Sequence, residues 1–191
     1  MEVIKTALEG VVIIEPKIFG DARGYFFESY SQRDFNAKVR HIDFVQDNES
    51  FSSYGVVRGL HFQRGEKSQS KLVRVICGTV LDVAVDVRRG SPTFGQHVAV
   101  ELSGENHRQL FIPRGFAHGF AVLSETALLQ YKCDNLYAPE SEGAIAFDDP
   151  ALGIDWRIPS DKILLSDKDR KHKRLAEAEG LFDYNTDLYS K

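Results

Sequence analysis

Two short motifs each set one histidine in an otherwise apolar, strand-like stretch: Arg58-Gly59-Leu60-His61-Phe62-Gln63 and Pro113-Arg114-Gly115-Phe116-Ala117-His118-Gly119-Phe120. A buried imidazole without a hydrogen-bond partner costs stability, so such a histidine is placed either to bond or to react. Side chains alternate across a strand, and this parity sorts the neighbours of each histidine. His118 shares parity with Phe116, Phe120 and Val122, Tyr131 with Ala127, Leu129 and Cys133, and Lys71 with Val73 and Val75. His61 shares parity with Val57, Gly59 and Gln63. If the apolar parity lines the interior, two histidines, a lysine, a tyrosine and a glutamine converge on one cavity. A single buried histidine is more often a satisfied core residue, but an apolar core gathers so many polar groups only for a use.

Such a set suits proton transfer. A neutral imidazole is the natural general base near neutral pH, and it works best when a carboxylate holds its second nitrogen. The run Ser166-Asp167-Lys168-Asp169 is one source of that carboxylate, and Asp82 is another. A cation such as Lys71, aided by His118, can stabilise an enolate oxygen, while Tyr131 across the cavity can return a proton to the opposite face. Base, oxyanion stabiliser and opposed acid together invert a carbon beside a ketone.

Metal chemistry fits less well. Metal-binding barrels of the cupin type carry a His-x-His pair with a following Glu, then a Pro-x-Gly-x-x-His segment. Here Pro113, Gly115 and His118 keep the later segment, but Gln63 stands in the second ligand position and Lys67 or Ser68 in the Glu slot. Two imidazoles and an amide make a poor transition-metal site, and Lys71 would repel a cation. Neither a metal nor another cofactor is expected.

Positioning these groups requires strands. Period-two segments bounded by Gly, Asp, Asn or Pro predict strands at residues 11–14, 25–30, 44–47, 56–62, 72–76, 80–87, 97–102, 109–112, 117–123, 127–133 and 144–147. Many short strands of this kind read as an antiparallel sandwich or barrel. Helix is expected only at 32–39, with Ser31 as N-cap, and near 169–179. Residues 150–159, with the lone Trp156, read as a loop packed on the barrel, and a polar tail is expected from about Leu181.

The bulk numbers agree. A chain of 191 residues with 42% hydrophobic and 27% charged residues suits one domain over residues 1–191. A net charge of -4 supplies no field toward nucleic acid or an anionic membrane. No apolar run reaches the ~18 residues that span a bilayer, and the first residues lack a secretory pattern. Cys77 and Cys133 are expected as reduced, buried thiols in a cytoplasmic protein.

The ordered set of motifs resembles the dTDP-4-dehydrorhamnose 3,5-epimerases along nearly the whole chain. It includes Phe19-Gly20-Asp21-Ala22-Arg23-Gly24, Val45-Gln46-Asp47-Asn48, Arg58-Gly59-Leu60-His61-Phe62-Gln63, Gly115-Phe116-Ala117-His118-Gly119-Phe120 and Leu165-Ser166-Asp167-Lys168-Asp169. The resemblance implies a mainly β fold, the double-stranded β-helix (cupin or jelly-roll barrel) with a few short helices. It implies His61 as base with Asp169 as its carboxylate (Asp167 second), Lys71 as enolate stabiliser and Tyr131 as proton donor. Substrate contacts are implied at Arg23, Glu28, Gln46, Asp47, Asn48, Arg58, Lys71, His118, Glu142 and Lys168, with Tyr137 stacked on the thymine. It further implies a metal-free homodimer whose amino-terminal strand crosses to the partner sheet, and a dTDP-sugar substrate epimerised at C3 and C5. A C3-only epimerase, a metal-dependent cupin oxygenase or isomerase, and a non-catalytic nucleotide-sugar binder are the rival readings.

Overall fold

The computed structural model describes residues 1–190, and alternation of period two governs most of it. In chain order the elements are β1 (Glu2–Lys5), β2 (Val12–Glu15), β3 (Phe19–Asp21), β4 (Gly24–Phe26), α1 (Gln32–Lys38), β5 (Gln46–Ser53), β6 (Val57–Gln63) and β7 (Lys71–Cys77). There follow β8 (Thr79–Asp86), β9 (Arg88–Arg89), β10 (His97–Ser103), β11 (Gln109–Ile112), β12 (Phe116–Val122), β13 (Thr126–Cys133), β14 (Glu142–Ala144) and β15 (Phe182–Asp183). A six-stranded antiparallel sheet has the order β1-β2-β11-β7-β13-β5, and a five-stranded one the order β10-β8-β12-β6-β14. This is the double-stranded β-helix expected from the sequence.

Parity explains why the two sheets close on each other. Val73 and Val75 of β7 and Leu129 of β13 meet Val80 and Ala84 of β8 and Phe116, Phe120 and Val122 of β12 in one buried cluster. The other parity of β8 and β12, with Leu81, Val83, Val85, Ala117 and Ala121, forms a second layer beneath Leu152, Trp156, Leu175 and Phe182. Burial of each large side chain is worth about 1.5–3 kcal/mol, so both faces of the five-stranded sheet hold the barrel together. On the outer face of the six-stranded sheet, Phe35 of α1 seals Ile14, Leu72 and Phe111. Ser31 caps that helix by accepting from the Asp34 N–H, as expected.

Several local expectations are corrected. The helix near 169–179 is two separate 3-10 turns, Asp169–Lys171 and Leu175–Glu177. Between them the Lys173 carbonyl accepts from Ala146 N–H, and Asp149 Oδ2 accepts from Leu175 N–H, which draws the backbone out of helical register. The strand expected at 25–30 shrinks to Gly24–Phe26 in an exposed hairpin. The one expected at 44–47 lies later, at Gln46–Ser53, an edge strand held by the β13 backbone. The strand expected at 144–147 runs Glu142–Ala144 instead, where pairing with β6 ends. The tail docks: Phe182 is buried, and Tyr189 Oη both pairs with Ser70 Oγ and accepts the Arg114 N–H. Cys133 is a buried free thiol, but Cys77 is exposed. Among the described residues no helix is long and apolar enough to cross a membrane.

Candidate active site

Inward parity delivers Lys71 from β7, Tyr131 from β13, His118 from β12 and Asp82 from β8 to one end of the barrel interior. β6 reaches the same place through a bulge. Arg58 lies opposite Phe120 and His61 opposite His118, so one residue is extra on β6. Val57 therefore faces the outer layer, while Arg58 and His61 both turn into the cavity. Strict alternation had grouped His61 with Val57, and the bulge overturns that. Gly59 makes the bulge possible: at φ +135° a Cβ there would sit 2.5 Å from Gly119 Cα.

His61 Nε2 and Asp169 Oδ1 are 2.6 Å apart. An ionised carboxylate only accepts, so Nε2 carries the proton and the free lone pair is on Nδ1. Asp169 is buried, and burial pushes its carboxyl upward. The hydrogen bond from His61, with help from Ser166, outweighs this and holds it below the ordinary carboxylate value. The Asp169 N–H also donates to Ser166 Oγ at 3.0 Å. Asp167 is exposed and takes no part. Asp82 serves the other imidazole: His118 Nε2 donates to Asp82 Oδ1 at 2.7 Å. Burial drives the His118 pKa down against the pull of Asp82, which keeps the ring neutral near pH 7.

Lys71 Nζ stands 5.7 Å from the Tyr131 ring centroid, and the Tyr131 and His118 rings are 6.4 Å apart. Burial lowers the Lys71 pKa, while Cys133, Asp82 and Glu142 favour its charge. Burial raises that of Tyr131, which stays a protonated phenol. The cavity they share has a volume of about 360 Å³. His61 enters it from the five-stranded sheet, and Lys71 and Tyr131 from the six-stranded sheet.

Eight of the expected residues line this cavity: Arg58, His61, Lys71, His118, Tyr131, Glu142, Lys168 and Asp169. Lys168 is ion-paired with Glu142, and that hydrogen bond raises its pKa. Gln46 and Asn48 lie beside it on the β5 edge, and Gln46 Oε1 accepts the Tyr137 N–H at 2.9 Å, whereas the Asp47 side chain is turned to the other face of the sheet, where it accepts from Lys132 Nζ at 3.0 Å. Tyr137 is exposed at the rim. Arg23 and Glu28 are not brought in: Arg23 tips the β3–β4 hairpin against Asp21, and Glu28 borders a separate cleft beside α1. Gln63 does not converge either. Its amide donates to the Lys67 and Leu136 carbonyls and accepts from Ala138 N–H, so it clamps loops and is not free as a metal ligand.

The sequence matches the family profile of dTDP-4-dehydrorhamnose 3,5-epimerase over residues 5–177. This chain belongs to that family. It is 60% identical to the dTDP-4-dehydrorhamnose 3,5-epimerase of Salmonella typhimurium over 82% of its own length and 86% of that protein. It is similar to the Legionella pneumophila 3,5-epimerase solved with dTDP-4-keto-L-rhamnose, with a TM-score of 0.93, 50% identity and coverage of 97% and 99% of the two chains. A 3'-monoepimerase from Streptomyces bikiniensis solved with dTDP-quinovose is also similar, with a TM-score of 0.84, 35% identity and coverage of 91% and 87%.

In this epimerase, Glu49 and Ser50 also line the cavity without a sequence signal, and Ser166, named above only as part of the acidic run, lines it as well. The spacing of Ser166 three residues before Asp169 was a readable turn signal. The sequence reading missed His172, whose ring meets His61 edge-on at 5.5 Å between centroids.

Proposed function

We propose that this chain is a single cupin-type epimerase domain that inverts C3 and C5 of dTDP-4-dehydro-6-deoxy-D-glucose, yielding dTDP-4-dehydro-L-rhamnose. The observation that carries this reading is the placement of His61 and Tyr131 on opposite sheets of one cavity. His61 Nδ1 takes the proton from the carbon beside the C4 ketone, and the C–H electron pair moves into an enolate. Asp169 stabilises the imidazolium that forms, as a buried carboxylate does for a catalytic histidine. The Lys71 ammonium bears the growing charge on the C4 oxygen, while neutral His118, its one N–H donated to Asp82, lines the wall beside it. The Tyr131 hydroxyl then donates its proton to the opposite face, so the carbon returns inverted.

Arg58 and Lys168 supply charge for the diphosphate, and Tyr137 offers an exposed aromatic face for the thymine. Glu142 and the β5 edge residues Gln46 and Asn48 complete the rim, and Asp47, its carboxylate paired with Lys132, offers the nucleotide its backbone. Arg23 and Glu28 are assigned to the cavity of a second subunit, in a homodimer with amino-terminal strand exchange. The β3–β4 hairpin supports this assignment, because it leaves Phe19, Tyr25 and Phe26 more than half exposed. The chemistry needs no metal or cofactor, and a cytoplasmic enzyme meeting a soluble nucleotide sugar fits the reading.

Incubation with dTDP-4-dehydro-6-deoxy-D-glucose followed by NMR at both carbons tests the function. Inversion at C3 and C5 supports it. Inversion at C3 alone would move the chain to the monoepimerase reading, and no conversion would reduce it to a binder.

A further inference from the structure

His61, Asp169 and His172 bring three metal-ligating atoms within 4.8 Å of one another. His172 Nδ1 is buried, has no hydrogen-bond partner and lies 3.8 Å from Asp169 Oδ1, beyond hydrogen-bond reach. We propose that these three residues form an inhibitory site for a zinc-class divalent cation, which shuts off the base when it binds. The proposal rests on His61 being the base.

The donor chemistry is that of an open zinc site: two imidazole nitrogens and one carboxylate oxygen, with the fourth position left to water or ligand. That fourth position would open on the cavity, which His61 and Asp169 both line. Zinc bonds of ~2.0–2.1 Å in a tetrahedron put ligand atoms ~3.3 Å apart. His61 and Asp169 would separate from 2.6 Å, and Asp169 and His172 would draw together from 3.8 Å, each by less than 1 Å. Of the three cations that line the cavity, Lys168 is already paired with Glu142, and Arg58 and Lys71 enter it from β6 and β7, whereas Asp169 and His172 come from the carboxy-terminal segment.

Inhibition follows from the tautomer. In the active arrangement the His61 proton is on Nε2 and the lone pair on Nδ1. A cation bound at Nε2 takes the electron pair that the Nε2 proton leaves behind, and that proton is carried by Nδ1 instead, so no charge is created on the imidazole. Nδ1 then has nothing with which to accept a proton from carbon. The site differs from the metal position of cupin barrels, because Gln63 is committed to backbone groups and His172 comes from the carboxy-terminal segment.

Three measurements on the full chain, freed of metal with a chelator, test this: equilibrium dialysis against zinc chloride, the visible spectrum with cobalt(II), and solvent deuterium exchange into the keto sugar with added zinc. The wild type is expected to retain one zinc per chain, to show the strong bands of tetrahedral cobalt, and to lose exchange activity reversibly. His172→Phe keeps an aromatic edge against His61 but removes both nitrogens, and His172→Gln serves if that variant does not fold. Loss of an outer-sphere partner alone weakens metal binding ~10–100-fold, so loss of this ligand should weaken zinc binding and inhibition at least ~10-fold. Unchanged zinc affinity in both variants, or no zinc retained by the wild type, overturns the site. Zinc held through His172 with undiminished exchange refutes His61 as the base, so the two failures are distinct.

Discussion

His61 and His118 lie directly opposite each other across the β6–β12 ladder, yet a different buried carboxylate holds each ring. Asp169 reaches His61 from the carboxy-terminal segment, and Asp82 reaches His118 from the neighbouring strand. The pairing distinguishes the two rings: under the proposed mechanism His61 offers its free lone pair to substrate, and His118 is a neutral ring fixed in the wall with only an acceptor nitrogen left.

Asp169→Asn leaves the shape intact and removes the ionised acceptor. The side-chain amide can then select the wrong His61 tautomer and no longer stabilises the imidazolium. Turnover should fall about 10²–10⁴-fold with little change in fold, measured by initial rates alongside circular dichroism. A rate within twofold of wild type would remove Asp169 from the account.

Tyr131→Phe separates proton removal from inversion. His61 can still exchange hydrogen at the carbon it reaches, but the opposite face has lost its donor. Deuterium uptake should persist while formation of the inverted product drops about 10²–10⁴-fold. Equal loss of both would mean that Tyr131 does something other than donate.

His118 gives stability a pH dependence. Its folded pKa is below the ordinary value of 6.5, so between the two values the unfolded chain binds more protons than the folded one. Stability from this group is full above about pH 6.5 and declines as pH falls through that window. Thermal melts of His118→Gln from pH 7.5 to 5 should show a shallower fall than wild type. An identical slope in the two proteins would contradict the buried, neutral assignment.

The cysteines should separate cleanly. Burial pushes the Cys133 thiol up to about 11, whereas Cys77 is exposed. A thiol reagent should titrate one cysteine in the native protein and two in denaturant, with Cys77 identified by peptide mapping. Two fast native equivalents would argue against the described core around β13.

Much of the site was legible because its chemistry depends on residue type at fixed parity. Lys71, His118 and Tyr131 stand on stretches whose alternation is regular, the irregularity of β7 against β13 lying beyond Val75, so reading every second residue found their cavity. His61 was found by type, but its parity was misread. The bulge at Gly59 depends on a close approach to Gly119, which no local pattern on β6 reveals. Asp82 was seen as a carboxylate near the site but could not be matched to its imidazole, since only the β8–β12 register decides that. The β5 strand escaped because Gln46–Ser53 is polar and takes its conformation from β13. The carboxy-terminal segment was the least legible. Hydrogen bonds to Asp149 and Ala146, more than local propensity, break it into two short turns, and that break is what sets His172 beside the dyad.

The most direct test of the central claim is deuterium uptake by the keto sugar in heavy water, followed by NMR, for the wild type and His61→Ala. The wild type should label both C3 and C5, and His61→Ala should label neither while still binding the nucleotide. Labelling by His61→Ala at the wild-type rate would contradict the account.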